Sequence, residues 1–274
     1  MGSFQYVSGK TEEALLKEIT LAFSHCNIPP RILASLSYQQ RPIPIDIDNL
    51  QVWNKELFQA LDISHSIDER VATFQEYMQV RFRLSKEDDR FNDDPPTRAK
   101  VDYKKLLLGW LFDSDNEQGA AWRSWVESRF GLITRYHGEP IGPPDSESEL
   151  RFRQLCAKAI HNTNELYSQL DALYQFCQHE LNFRFPSASH LTLYRGCADL
   201  PEYSIEDKEV HLFNNLSSLT SDPESALRFG TKVYEVRVPK FKVVCFDSLL
   251  PGSLNGEQEY MVLGGLYQGR KVNF

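Results

Sequence analysis

Pro186-Ser187-Ala188-Ser189-His190-Leu191-Thr192-Leu193-Tyr194-Arg195-Gly196 is the stretch at which the chain changes character. Upstream of it, apolar residues recur at helical spacing. Downstream they come in short runs rich in Val, Leu, Tyr and Phe, bounded by Pro, Gly, Asn and Asp, which is the punctuation of strands. The downstream runs cover residues 190–196, 211–217, 232–238, 241–246 and 259–267, with one short helix expected over 222–229. The reading is an α+β fold, with a mainly helical portion (1–185) packed on a compact sheet portion (186–274).

Working back from Pro186, a long helix is expected over 147–181, where Leu155, Ala159, Leu166, Leu170, Leu173 and Cys177 fall on one stripe. Before it, Gly138-Glu139-Pro140-Ile141-Gly142-Pro143-Pro144-Asp145 packs three prolines and two glycines into eight residues and reads as a loop. Further helices are expected over 119–130, carrying Trp122, Trp125 and Val126, over 103–112, and around Val71, Phe74, Tyr77, Met78 and Phe82. An acidic, turn-rich segment at 86–96 separates the last two. The first helix, over 11–26, is expected to bury Leu15, Ile19, Ala22 and Phe23 before Pro29-Pro30 stops it. The aromatic residues Trp110, Phe112, Trp122, Trp125, Phe130 and Tyr136 read as core.

Composition bounds the function. The 274 residues carry 30 basic and 38 acidic side chains, a formal net charge of −8, which disfavours nucleic acid as a partner. With 41% hydrophobic and 12% aromatic residues there is enough apolar material for a core. No run approaches the roughly 20 apolar residues of a membrane span, and the N-terminus lacks the charged and apolar regions of a secretory signal. A cytoplasmic protein is expected. The cysteines, at 26, 156, 177, 197 and 245, are odd in number and form no Cys-x-x-Cys pair, so reduced thiols are expected. The histidines show no His-Glu-x-x-His spacing, so no metal site is expected.

Three polar features sit at strand ends in the sheet portion. The first is Arg195-Gly196, a guanidinium fork suited to a phosphate, followed by a residue that lets backbone approach a ligand closely. The second is the hydroxyl cluster Ser217, Ser218 and Thr220, ahead of a helix capped by Ser221 or Asp222 with Pro223 in its first turn. The third is Glu257-Gln258-Glu259, whose two carboxylates alternation points to one face at the entry to an apolar strand. Like charges side by side add nothing to a sheet.

In this order the three features resemble the Arg-Ser-Glu class of mono-ADP-ribosyltransferases. Within that class the runs Val101-Asp102-Tyr103-Lys104-Lys105-Leu106-Leu107-Leu108-Gly109-Trp110-Leu111-Phe112-Asp113-Ser114, Trp125-Val126-Glu127-Ser128-Arg129-Phe130-Gly131-Leu132, Asn162-Thr163-Asn164-Glu165-Leu166-Tyr167, Asn214-Asn215-Leu216-Ser217-Ser218 and Leu249-Leu250-Pro251-Gly252 are similar to the NAD(+)-dinitrogen-reductase ADP-ribosyltransferase family. The likeness runs from about residue 100 to the C-terminus and is slight over the first 95.

The resemblance implies two small, mostly antiparallel sheets holding NAD as substrate, with no metal required. It implies transfer of ADP-ribose to one arginine of the nitrogenase iron protein, reversibly switching nitrogenase off, and a nitrogen-signalling P-II-type protein as a further partner. Carried over residue by residue, it implies that Arg195 meets a phosphate of NAD, Gly196 the nicotinamide carboxamide and Phe229 the nicotinamide ring. Ser218 would orient Glu259, and Glu259 would hold the ribose 2′-hydroxyl. Glu257 would hold the target guanidinium. The family's Ser-Thr-Ser triplet reads Ser218-Leu219-Thr220 here, which leaves Ser217, Ser218 and Ser221 all open as the active-site hydroxyl. Target contact is expected from the helical surface or the 251–256 loop. The competing readings are an arginine-specific transferase with another protein target, and an inactive binding module of the same build.

Overall fold

In the computed structural model, residues 10–84, 101–136, 139–140, 146–160, 165–198, 200–251 and 258–272 are described. The helices are α1 Glu12–Ile19, α2 Pro30–Leu33, α3 Leu36–Gln40, α4 Leu50–Trp53, α5 Lys55–Asp62, α6 Ile67–Phe82, α7 Tyr103–Phe112, α8 Glu117–Phe130, α9 Glu147–Ile160, α10 Leu166–Arg184 and α11 Pro223–Ala226. The strands are β1 Arg135–Tyr136, β2 Glu139–Pro140, β3 His190–Cys197, β4 Glu202–Ile205, β5 Lys208–Thr220, β6 Lys232–Pro239, β7 Val243–Phe246 and β8 Glu259–Val272. The α+β reading holds. Among the described residues no helix is long and apolar enough to cross a membrane.

Local chemistry sets the helix boundaries. Thr11, Ser35, Ser66, Asp102 and Asn116 each accept a backbone N–H of the following first turn through a side-chain oxygen. Gly131 closes α8 in the left-handed region at φ 66°.

Two expected helices come out shorter. α1 stops at Ile19 because the Thr20 hydroxyl turns back onto the Leu16 carbonyl at 2.6 Å while Thr20 bridges Leu132 in extended form. Ala22 and Phe23 are therefore exposed rather than buried. The expected 147–181 helix is two helices, α9 and α10, with Glu165 left-handed at φ 52° ahead of Leu166.

The sheet is antiparallel, in the order β4-β5-β3-β6-β8-β7, with β5 also paired to β8. It forms one connected hydrogen-bonded system instead of two separate small sheets, because β8 is long enough to serve both parts. Its first ten residues pair with β5 and its last four with β6. The expected strand over 241–246 begins with a 3-10 turn at Lys240–Lys242, and β4 is a strand that sequence reading did not pick out.

β5 and β8 run close enough that a Cβ on Gly264 would lie 1.8 Å from the Asn214 carbonyl oxygen. Gly265, at φ 116°, lets its neighbour Leu266 donate to the Ala34 carbonyl at 2.8 Å. Buried side chains of helices and sheet, from Leu15 to Tyr267, form one contiguous apolar cluster. α10 runs through its middle, donating from Tyr174 to the Phe241 carbonyl at 2.8 Å and from Gln178 to the Val243 carbonyl at 2.6 Å. At its end the buried Glu180 carboxylate accepts from the equally buried Arg70.

Candidate active site

The C-terminal ends of β3 and β5 meet the start of β8 in one cross-strand row, with Tyr194 opposite Thr220 and Thr220 opposite Glu259. Alternation puts Ser218 on the same face of β5 as Thr220. α7 closes the row from above. The result is a cleft of about 200 Å³ lined by Trp110, Phe112, Asp113, Ser114, Arg195, Gly196, Ser218, Thr220, Phe229 and Glu259, among others. Arg195, Gly196, Ser218, Thr220, Phe229 and Glu259, six candidates named from the sequence, therefore converge on one wall. Glu257, the remaining one, lies outside the described residues, as does most of the 251–256 loop.

Trp110 organises the centre. Its indole Nε1–H is shared between Ser218 Oγ at 3.0 Å and Glu259 Oε1 at 3.1 Å. One donor thus fixes both the hydroxyl and the carboxylate. Trp110 is itself held from behind by the Arg123 guanidinium, 5.3 Å from its ring centroid. Arg123 Nη1 donates to the Leu216 carbonyl at 3.2 Å, and Asn215 Nδ2 donates to the Arg123 carbonyl at 2.9 Å. The Asn214-Asn215 pair sits in the irregularity between Phe213 and Leu216, where β5 breaks register with β8. It ties the sheet to α8 in place of a regular ladder.

Arg195 donates to the Ser218 backbone carbonyl. Among the described residues it has no carboxylate partner, so most of its five N–H donors remain for a ligand. Burial pushes the guanidinium below its ordinary pKa while Cys197 and Glu259 act to raise it. It stays a cation at neutral pH, half-sunk in the wall.

Three hydroxyls were open candidates. Ser218 lines the cleft, whereas Ser217 donates to the Asn214 carbonyl at 3.4 Å and Ser221 to Gln258 Oε1 at 2.8 Å. Thr220 Oγ1 accepts from the Asp222 N–H at 3.1 Å, and Asp222 caps α11 by accepting from the Glu224 and Ser225 N–H groups. The cleft-edge turn is in this way bonded to itself. Gly196 has a packing reason to be glycine, since a Cβ there would lie 1.7 Å from the Ala226 carbonyl oxygen. α11 can therefore sit directly on β3 and carry Phe229, half-exposed, to the cleft rim.

Sequence reading missed Trp110 as a site residue. It sits on an apolar helix face and is only 3% exposed, so it looks like core. The usable signal was its place in Gly109-Trp110-Leu111-Phe112-Asp113-Ser114, a helix end that runs straight into a polar turn. Phe112, read as core, is 81% exposed at the rim.

A family model described as dinitrogenase reductase ADP-ribosyltransferase matches residues 23–271. The chain is 36% identical over 250 residues to the NAD(+)–dinitrogen-reductase ADP-D-ribosyltransferase of Rhodospirillum rubrum, an alignment covering 88% of this chain and 91% of that protein. No solved structure matches it.

Proposed function

Since the chain belongs to the dinitrogenase reductase ADP-ribosyltransferase family, we propose that the Trp110-Arg195-Ser218-Glu259 cleft is where it takes ADP-ribose from NAD for transfer to one arginine of the nitrogenase iron protein. It is an NAD-dependent mono-ADP-ribosyltransferase, with NAD as substrate. The observation that carries the residue assignment is the convergence of Ser218 and Glu259 on one indole donor, in a cleft that Arg195 also lines.

The donor set fits the dinucleotide. Arg195, a half-buried cation with spare N–H donors, suits a diphosphate. At about 200 Å³ the cleft is smaller than the roughly 300–1,000 Å³ of a site that engulfs a whole ligand. It would take the nicotinamide–ribose end and leave the adenosine part outside. Phe229 and Gly196 stand beside that end.

Glu259 is the group placed to act as the nicotinamide–ribose bond breaks, because positive charge then develops on the sugar. A fixed carboxylate at the 2′-hydroxyl stabilises that charge more than the ground state. Trp110 holds the carboxylate, with the Ser218 hydroxyl on the same N–H, before the charge appears, so little reorganisation accompanies the step. Glu257 is assigned the target guanidinium, which it would position as a planar bidentate partner. An arginine stays protonated in water, so its proton leaves as the new C–N bond forms. Orientation by Glu257 is then its main contribution.

We assign NAD binding and chemistry to residues 186–274 completed by Trp110 and the end of α7, and target recognition to the rest of the helical portion together with the 251–256 loop. A P-II-type signalling protein and a cytoplasmic location complete the proposal.

The test is incubation of the purified chain with labelled NAD and nitrogenase iron protein, followed by mass mapping, with Glu259→Gln as control. Label on a single arginine, absent with the variant, is the expected result. NAD binding without transfer would move the target elsewhere, and absence of NAD binding would overturn the assignment of the cleft. Glu257→Gln should spare NAD hydrolysis while abolishing transfer, and equal loss of both activities would remove its separate role.

A further inference from the structure

The far end of β5 holds a second polar group. His211 is fully buried at 0% exposure, and neither ring nitrogen has a hydrogen-bond partner. A structural histidine at such depth ordinarily donates from one nitrogen and accepts at the other. Here the neighbours are carboxylates. The β4–β5 register sets Glu202 directly opposite His211, and alternation sets Glu209 on the same face two residues before it. One ligand atom from each of the three lies within 4.8 Å of the other two. Glu209 Oε1 is 3.3 Å from His211 Nε2 without making a hydrogen bond to it.

The surroundings complete the arrangement. The buried Tyr234 hydroxyl donates to Glu202 Oε1, and its ring centroid is 4.4 Å from that of the imidazole. This fixes both the carboxylate and the ring plane. Two carboxylates in such proximity repel unless a cation lies between them. A neutral imidazole offers a lone pair at whichever ring nitrogen carries no proton.

We propose that Glu202, Glu209 and His211 form a binding site for a divalent transition-metal ion, of which Zn²⁺ is the best fit. One imidazole and two carboxylates are the nitrogen and oxygen donors that Zn²⁺ accepts in tetrahedral sites. Glu209, 40% exposed on its side chain, leaves an entry path and a fourth position for water. Tyr234 is the outer partner that holds a ligating carboxylate in place. The ion would pin β4 to β5, taking no part in the chemistry at the cleft. The seven-residue separation of His211 from Ser218 along β5 puts the two sites roughly 20 Å apart. The site escapes sequence spacing rules because one ligand comes from across a strand pair. It stands independently of the transferase reading.

The experiment uses the tag-free full-length chain, chelator-treated and desalted. Zn²⁺ is titrated by calorimetry and Co²⁺ by visible absorption. Wild type should take up one equivalent and give the intense Co²⁺ bands of four-coordinate geometry. Glu209→Gln, at an exposed position that folding tolerates, should weaken Zn²⁺ at least tenfold, and Tyr234→Phe about tenfold. His211→Asn should abolish the Co²⁺ spectrum. Absence of uptake by the wild type would overturn the proposal, as would uptake and spectra unchanged in Glu209→Gln. Circular dichroism and NAD-dependent transfer, both retained by Glu209→Gln, show that the variant is folded.

Discussion

The two ends of β5 are built from similar residues and treated in opposite ways. At the C-terminal end, Ser218 and Glu259 of the neighbouring strand share one indole donor, and Arg195 is bonded to the strand backbone. At the N-terminal end, His211 is more deeply buried yet has no hydrogen-bond partner, with carboxylates gathered round it. A satisfied polar cluster is preorganised for a transition-state charge, whereas an unsatisfied one calls for a ligand that completes it. One strand thus separates the proposed reacting site from the proposed metal site by about seven residues of ladder.

The largest expected effect divides the ends most sharply. Glu259→Gln should lower kcat for ADP-ribose transfer by about 10³-fold, the scale of losing a fixed electrostatic contact to the transition state. Glu209→Gln should leave it within about twofold. Comparable losses in a steady-state transfer assay would mean that the two ends act as one site.

Next in size is the indole. Trp110→Phe keeps the ring but removes the shared N–H, freeing Ser218 Oγ and Glu259 to drift, and misplacement of this kind costs about 10- to 100-fold in rate. Because neither Arg195 nor the rim is disturbed, the loss should fall on kcat with KM for NAD nearly unchanged. A loss confined to KM would make Trp110 a wall residue only. Tyr234→Phe, the matching deletion at the other end, should weaken Zn²⁺ and leave transfer untouched.

Between the ends lies a third buried polar group of a different kind. Lys242 is fully buried, donates to the Gly264 carbonyl at 2.8 Å and sits 4.5 Å from the Tyr267 ring centroid. Burial pushes it from 10.5 down to about 7. Between about 7 and 10.5 the unfolded chain therefore binds a proton that the folded chain lacks. Stability should rise with pH across that window, by at most about 1.4 kcal/mol per pH unit, and this contribution should be flat below it. Lys242→Met removes the titration. Tm measured against pH should show wild type gaining on the variant from pH 7 upward, and parallel profiles would mean that the folded lysine is solvated and titrates as it does in the unfolded chain.

These sites also mark how far the sequence could be read. The change of period at Pro186, the Asp222 cap, and the Arg195, Ser218 and Glu259 strand ends are local signals, carried by residue type and spacing. The groups that hold them are not local. Trp110 reaches Ser218 across 108 positions, Asn215 reaches Arg123 across 92, and Glu202 faces His211 only through the β4–β5 register. No periodicity encodes such pairings. The overlong 147–181 helix failed for a related reason, since the stripe of apolar residues continues in both α9 and α10 and carries no sign of the left-handed Glu165 between them.

The smallest effect tests the cleft rim against its floor. Phe112, an aromatic residue expected in the core, is 81% exposed where α7 ends over the cleft. An exposed side chain that makes so little buried contact contributes little to folding, so Phe112→Ala should change unfolding free energy by less than about 0.5 kcal/mol. Trp110, two residues away and 3% exposed, should show the opposite balance, because Trp→Ala in a packed site costs about 3–5 kcal/mol. Denaturant titration of the two alanine variants measures that contrast. If Phe112→Ala proved as destabilising as Trp110→Ala, the end of α7 would be packed against something in solution, and the cleft would be narrower than its geometry indicates.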